Sequence, residues 1–154
     1  MRKAIISLNL MYCMERFATQ IYLTQRGAFK GLPLAQQLTD AAENERGHVR
    51  KLQDEIRRLR SVVYPLGWLF QFMGIILGLT TRLFGRRNLF RADTFVETRA
   101  VKDYSSFLRA VHFDIETDKM IRKIITDEEE HILNWQKARA SLGVTTTTYC
   151  NTAN

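Results

Sequence analysis

Proline is nearly missing from these 154 residues, with two copies, and most of the eight glycines fall at candidate breaks or in one apolar stretch. So few helix breakers favour long uninterrupted helices, and alternation of the strand type is scarce, which sets sheet architectures aside. Cysteine is equally sparse. Cys13 and Cys150 stand at opposite ends with no C-x-x-C partner, which excludes a disulfide framework and suits a reducing cytoplasm, with Cys13 read as a packed thiol. An acidic excess is also lacking: 23 Lys and Arg against 16 Asp and Glu leave a charge of +7, which admits nucleic acid or an anionic membrane as partner. The Met1-Arg2-Lys3 start and its apolar run resemble a signal peptide only superficially. No small-residue cleavage site follows, and the run continues into the helix that carries Glu15.

What is present is helical periodicity. Apolar residues recur at helical spacing from about Ile5 to Phe29, with Gly27 and Gly31 closing the segment. Pro33 suits the first turn of a second helix to about Leu59, whose one face carries Leu38, Ala41, Glu45, His48, Leu52 and Ile56. Third and fourth long helices are expected over about Asn88 to Glu116 and Asp118 to Leu142, with Gly143 as a stop. The length is that of one domain, placed over residues 1–143, and the Thr-rich segment 144–154 is expected to be a disordered tail.

Two halves of the chain repeat the same spaced groups. Glu15 is followed 30 residues later by Glu45-Arg46-Gly47-His48, and Glu97 is followed 31 residues later by Glu128-Glu129-Glu130-His131. In E-x-x-H the Glu and His lie three apart on one helical face and can bind one ion together. Each acid or histidine alone reads more simply as solvated or as a satisfied core group. Two copies in register, each with a preceding Glu, point to metal. Four carboxylates and two imidazoles resemble the ligand set of ferritin-like di-iron carboxylate bundles, in which four Glu balance two divalent irons. The expected fold is therefore all-α: a ferritin-like four-helix bundle with Glu15, Glu45, His48, Glu97, Glu128 and His131 around two iron ions.

Neighbouring groups read differently. Glu43 lies about 200° around the helix from Glu45 and is expected in solvent, and Glu129 and Glu130 lack the three-residue spacing to His131. Asp127 is either a solvated acid or the partner that orients a ligand histidine. Tyr22 and Tyr104 each follow their Glu by two turns, roughly 10 Å along the helix, which suits core packing or a pocket wall better than ligation. Met11 and Met14 read as core filler, and His112 has no spaced acid partner.

Val62 to Thr81 carries no charge, long enough to nominate a membrane span. A span would put Glu45 and His48 on one side of a bilayer and Glu97 and Glu128 on the other, so no shared site could form. Pro65, Gln71, Gly74 and Gly78 also suit a span poorly. The segment reads instead as an apolar helix over about 62–84, between bundle helices 2 and 3, lying in a membrane interface. The alternative is a crossover helix buried against the bundle or a second copy. Arg57, Arg58 and Arg60 before it and Arg82, Arg86, Arg87 and Arg91 after it suit anionic head groups, or else simply a solvated face.

Over about Met14 to Ala138 the chain resembles the demethoxyubiquinone hydroxylase family. Glu15 with Ile21-Tyr22 is similar to that family's first ligand helix, and Glu45-x-x-His48 to its second. Gly74 to Gly85 resembles the family's G-x-x-L-G-x-x-T-x-L-x-G segment without gaps, Val96-Glu97 with Tyr104 the third ligand helix, and Asp127 to His131 the fourth. Two departures stand out: Asp103 occupies the family's His position before Tyr104, and the Thr-rich tail replaces a further apolar helix. The resemblance implies an O2-dependent di-iron monooxygenase that hydroxylates a membrane-derived quinone or quinol ring in ubiquinone biosynthesis. It implies a lipophilic quinone-type substrate, an electron donor and a membrane surface as partners. The expected location is cytoplasmic, peripheral on the inner face of the cell membrane or the matrix side of the mitochondrial inner membrane. A homo-oligomer is compatible with this reading, and no nucleic acid is expected. Rival readings are a ferritin-like or rubrerythrin-like iron or peroxide protein, a non-enzymatic membrane-surface module, and a hydroxylase of modified RNA.

Overall fold

Stretches rich in good helix formers, broken at glycine or proline in three places and at an Asp cap in a fourth, give five helices and no strand among the described residues. The structure is a computed structural model that describes residues 2–148, with side chains over 2–142. In chain order the helices are α1 (Arg2–Arg26), α2 (Pro33–Arg58), α3 (Gly67–Leu83), α4 (Gly85–Ala110) and α5 (Ile115–Thr148). The fold is the expected all-α ferritin-like bundle, with α1, α2, α4 and α5 as bundle helices and α3 as the additional apolar helix.

The first helix is the centre of the packing, touching α2, α3 and α4, while α4 packs chiefly on α5. Buried apolar residues form two clusters. One contains Leu8, Met11, Leu52, Ile56, Ile121 and Ile124. The other contains Ile21, Leu38, Leu89, Phe90 and Trp135. On every bundle helix the repeated Glu and His residues fall between the two clusters, so hydrocarbon seals a polar layer from both ends.

The glycines that suit a membrane span poorly make α3 a close-packed crossover. A methyl group on Gly74 would run into the Phe17 carbonyl oxygen of α1, and one on Gly78 would stand 2.9 Å from the Ile21 carbonyl oxygen. Small residues at those positions let two helical backbones approach directly. The opposite face of α3 remains exposed, with Trp68 63%, Phe72 55% and Ile76 49% accessible. No helix among the described residues is long and apolar enough to cross a membrane. Gly85 takes a φ of 80°, a left-handed conformation open to glycine, and so turns the chain directly from α3 into α4.

Two expected boundaries are corrected. The third bundle helix stops at Ala110, not near Glu116, because Val111 is extended and Asp114 caps the next helix. Its Oδ1 accepts the Glu116 and Thr117 backbone N–H groups at 3.1 and 3.0 Å. The helix expected to end at Gly143 runs on to Thr148. One internal glycine weakens a long helix by only about 1 kcal/mol, and no proline follows to break it. The expected tail is therefore helical as far as residue 148, and residues 149–154 lie outside the described residues.

The flanking arginines differ in their surroundings. Arg58 donates to Glu55 Oε2 and Oε1 at 2.8 and 2.6 Å and to Asp114 Oδ2 at 2.6 Å. It thereby ties the end of α2 to the start of α5 and is not the free basic group that the sequence suggested. Arg82 reaches back to the Thr24 carbonyl oxygen of α1 at 3.5 Å.

Candidate metal centre

One polar layer lies inside the bundle core, and six side chains meet there. Glu15 comes from α1, Glu45 and His48 from α2, Glu97 from α4, Glu128 and His131 from α5. Glu15, Glu45, Glu97, Glu128 and His48 are buried and His131 is nearly so. Their ligand atoms form two groups, each within 4.8 Å: Glu15, Glu45, His48 and Glu128 in one, Glu45, Glu97, Glu128 and His131 in the other. Glu45 and Glu128 belong to both groups.

The lone pairs in this layer converge without pairing. His48 Nδ1 stands 3.5 Å from Glu15 Oε2, 3.4 Å from Glu45 Oε2 and 3.1 Å from Glu128 Oε1. His131 Nδ1 stands 3.0 Å from Glu45 Oε1 and 3.3 Å from Glu128 Oε2. Yet both carboxylate oxygens of Glu45 and Glu128, and Nδ1 of both histidines, lack a hydrogen-bond partner of proper geometry. Buried polar atoms are rarely orphaned. Six of them aimed at a common space, from hard carboxylates and imidazoles, fit divalent iron.

The electrostatics agree with that fit. Burial, reinforced by the Glu128 and Glu45 charges, pushes the Glu15 and Glu97 carboxyls well above their ordinary range. Glu45 goes the other way: the closeness of Glu15, His131 and His48 outweighs its burial and holds it far down. Burial would lower both imidazoles, but the close surrounding carboxylates, Glu128 foremost, push His48 and His131 far up. Without a cation, Glu15, Glu97 and both imidazoles thus hold their protons more firmly than ordinary groups of their kind.

Groups around the layer take specific positions. Asp127 Oδ2 lies 3.2 Å from His48 Nε2, and Lys123 Nζ donates to Asp127 Oδ1 at 2.6 Å. The acid thus faces the ring edge turned away from the cluster. Tyr22 and Tyr104 do not pair with the Glu of their own helix. The Tyr22 hydroxyl donates to Glu97 on α4, and the Tyr104 hydroxyl donates to Glu15 on α1 at 2.5 Å. Two turns along one helix carry each tyrosine to the level of the other's Glu, a relation that spacing within a single helix cannot reveal. Glu43 is exposed and pairs with Arg46 at 3.2 Å, as its angular position implied. Asp103, at the family's His position, pairs with Arg99 one turn back at 2.8 Å and does not join the cluster.

Other groups near the layer had no sequence signal strong enough to single them out. Asp93, one turn before Glu97, is fully buried and accepts from Gln25 Nε2 at 2.8 Å. Trp135, one turn after His131, donates its indole N–H to the Tyr22 oxygen at 3.1 Å. The one-turn offset from a ligand was the available clue in both cases.

An apolar cavity of about 340 Å³ opens between α1, α3 and α4. Met14, Phe17, Phe70, Leu77 and Phe95 line its walls, while Glu15, Glu97 and Tyr104 stand at its inner end. Of the two tyrosines, Tyr104 is among the lining residues and Tyr22 is not. Met14, read as core filler, lines the cavity, whereas Met11 is fully buried in the core.

A family model described as "Ubiquinone biosynthesis protein COQ7" matches residues 13–150 of the chain. Comparison with curated proteins finds no match.

Proposed function

The chain belongs to the COQ7 family, and from that premise we propose that it is a di-iron, O2-dependent monooxygenase that hydroxylates the ring of a lipophilic quinone or quinol. The carrying observation is the pair of overlapping ligand groups that share Glu45 and Glu128. In this reading Glu15 and His48 would hold one iron and Glu97 and His131 the other, with Glu45 and Glu128 available to both. When bound, the iron pair supplies two-electron activation of O2.

The protein's own residues do the rest. Asp127, held by Lys123, fixes the His48 ring so that Nδ1 faces inward. The Tyr104 hydroxyl restrains Glu15 at the inner end of the cavity. The hydrocarbon walls bind a lipophilic ring, keep water from the reacting carbon and leave the carboxylate end open to it. The exposed apolar face of α3 beside that cavity suits contact with a bilayer surface, from which such a substrate would come. Association with the inner membrane face and dependence on a separate electron donor follow from the same reading.

Two measurements test it. Glu97→Ala and His131→Ala should each lower bound iron below two per chain and abolish substrate-dependent O2 consumption; retention of both would refute the shared centre. Complementation of a strain lacking the ubiquinone ring hydroxylase should restore ubiquinone and clear the unhydroxylated intermediate. Persistence of that intermediate with soluble, iron-loaded protein would exclude this substrate.

A further inference from the structure

Among the described residues, an indole and a phenol joined by a hydrogen bond lead outward from the centre on the Glu97 side. Trp135 Nε1–H donates to the Tyr22 oxygen at 3.1 Å, their ring centroids are 5.4 Å apart, and the Tyr22 hydroxyl donates to Glu97 Oε1. At its outer end Trp135 is 3% exposed yet borders an open cleft of about 570 Å³ between α2 and α5, which Asp40, Asn44 and Asn134 also line and whose floor reaches His131. The other side differs. Tyr104 also donates to a carboxylate, Glu15, but borders the apolar cavity, and the second tryptophan, Trp68, lies on the outer face of α3.

Hydrogen bonding alone would satisfy the Tyr22 hydroxyl and the indole N–H. It does not call for the partners to be the two most readily oxidised ring types, in contact, between a metal-type cluster and water. We propose that Trp135 and Tyr22 form a relay that drains oxidising equivalents from the centre to the cleft when O2 is activated with no substrate in the apolar cavity. The inference rests on the di-iron reading.

The steps balance. Tyr22 gives one electron to the oxidised centre and its phenolic proton to the Glu97 oxygen that it already contacts. Trp135 then gives one electron to the Tyr22 phenoxyl, which takes the proton back from Glu97. The indole radical cation keeps its N–H proton and is reduced at the cleft by a small thiol, which becomes a thiyl radical and releases its proton to water. One electron has moved from thiol to centre, and both side chains are restored. Phenol and indole are oxidised only by strong oxidants, so the path suits discharge of a misfired centre and not routine delivery of electrons from mild donors.

The test uses the full chain loaded with zinc, which takes N and O ligands but has no redox chemistry, in a Trp68→Phe background that leaves Trp135 as the single indole. Azide radicals from pulse radiolysis oxidise indole selectively, and transient absorption distinguishes indole from phenoxyl radicals. The Trp135 radical should form and relax to a state in which indole and phenoxyl radicals coexist, which shows exchange in both directions; complete one-way conversion to phenoxyl would overturn the outward step. Tyr22→Phe should lengthen the indole radical's lifetime several-fold and remove the phenoxyl signal, while Tyr104→Phe should leave both unchanged. No oxidation of Trp135, or equal behaviour of the two tyrosine variants, would overturn the relay. Failure to take up zinc would instead sink the two-metal reading, so the two outcomes separate.

Discussion

Asp93 shows what a single buried acid does to the polar layer. Burial pushes its carboxyl up to about 8, against a small opposing pull from the Gln25 hydrogen bond. Asp93 Oδ2 has no donor facing it, so nothing there offsets the cost of burying its charge. Between 3.8, the ordinary value, and about 8 the folded chain holds the carboxyl proton and the unfolded chain does not. Stability from this group therefore falls as pH rises through that window, by on the order of 1.4 kcal/mol per pH unit at the steepest. Asp93→Asn mimics the protonated acid and should remove that slope. Denaturant unfolding of the metal-free chain should find the variant level with the parent near the acid end and more stable by a few kcal/mol near the alkaline end. Parallel pH profiles would show Asp93 to be ionised. At this scale Glu45 with His48 and Glu128 with His131 were legible because i, i+3 spacing acts within one helix, and Glu15 and Glu97 because each precedes such a pair by 30 or 31 residues. Asp93, Trp135 and the crossed Tyr–Glu pairs were not, because their partners lie on other helices.

Element by element, glycine has opposite meanings at two places. Gly74 is where α3 touches the α1 backbone, and a carbonyl group cannot yield as a flexible side chain would. Gly74→Ala should therefore destabilise by about 1–3 kcal/mol and loosen α3, seen as lost hydrogen-exchange protection over residues 67–83. Gly47, inside the first E-x-x-H, has nothing within 4 Å of the place for a methyl group. Gly47→Ala should stabilise by about 0.5–1 kcal/mol, measured by the same unfolding curves, with the flanking Glu45 and His48 undisturbed. Helix identity was legible from apolar periodicity, and Pro33 marked a start correctly. The missed break before α5 was also written locally, in Asp114 as a cap three residues ahead of Thr117. It was masked by the apolar run Val111-His112-Phe113, which continues a helical pattern into an extended segment.

For the whole molecule, the protonated cluster makes cation binding and proton release one event. His48, His131, Glu15 and Glu97 all hold protons more firmly than ordinary groups of their kind, and ligation requires them to leave. Metal affinity should therefore fall as pH is lowered. Calorimetric titration with zinc in two buffers of different ionisation heat should show net proton release, and identical heats in both would contradict it. Chelation should lower the unfolding temperature, more at neutral than at acid pH, because the ion stabilises the folded state through its affinity. The bundle class was legible from the repeat, and a spanning α3 was excluded by the need for both halves to meet. The apolar cavity was not legible, since its walls come from three helices and no one segment carries its shape.

The close seating of α3 on α1 has a further consequence for traffic. A roof whose backbone rests on another backbone cannot hinge upward without breaking the contacts at Gly74 and Gly78. The looser seam is the one between α3 and α4, where Phe95 is 71% exposed at the cavity's edge. A guest would then thread sideways through a fixed slot, flat ring first, with its chain trailing outside. Selection would fall on the thickness of the head group, and the length of the tail would be left almost unread.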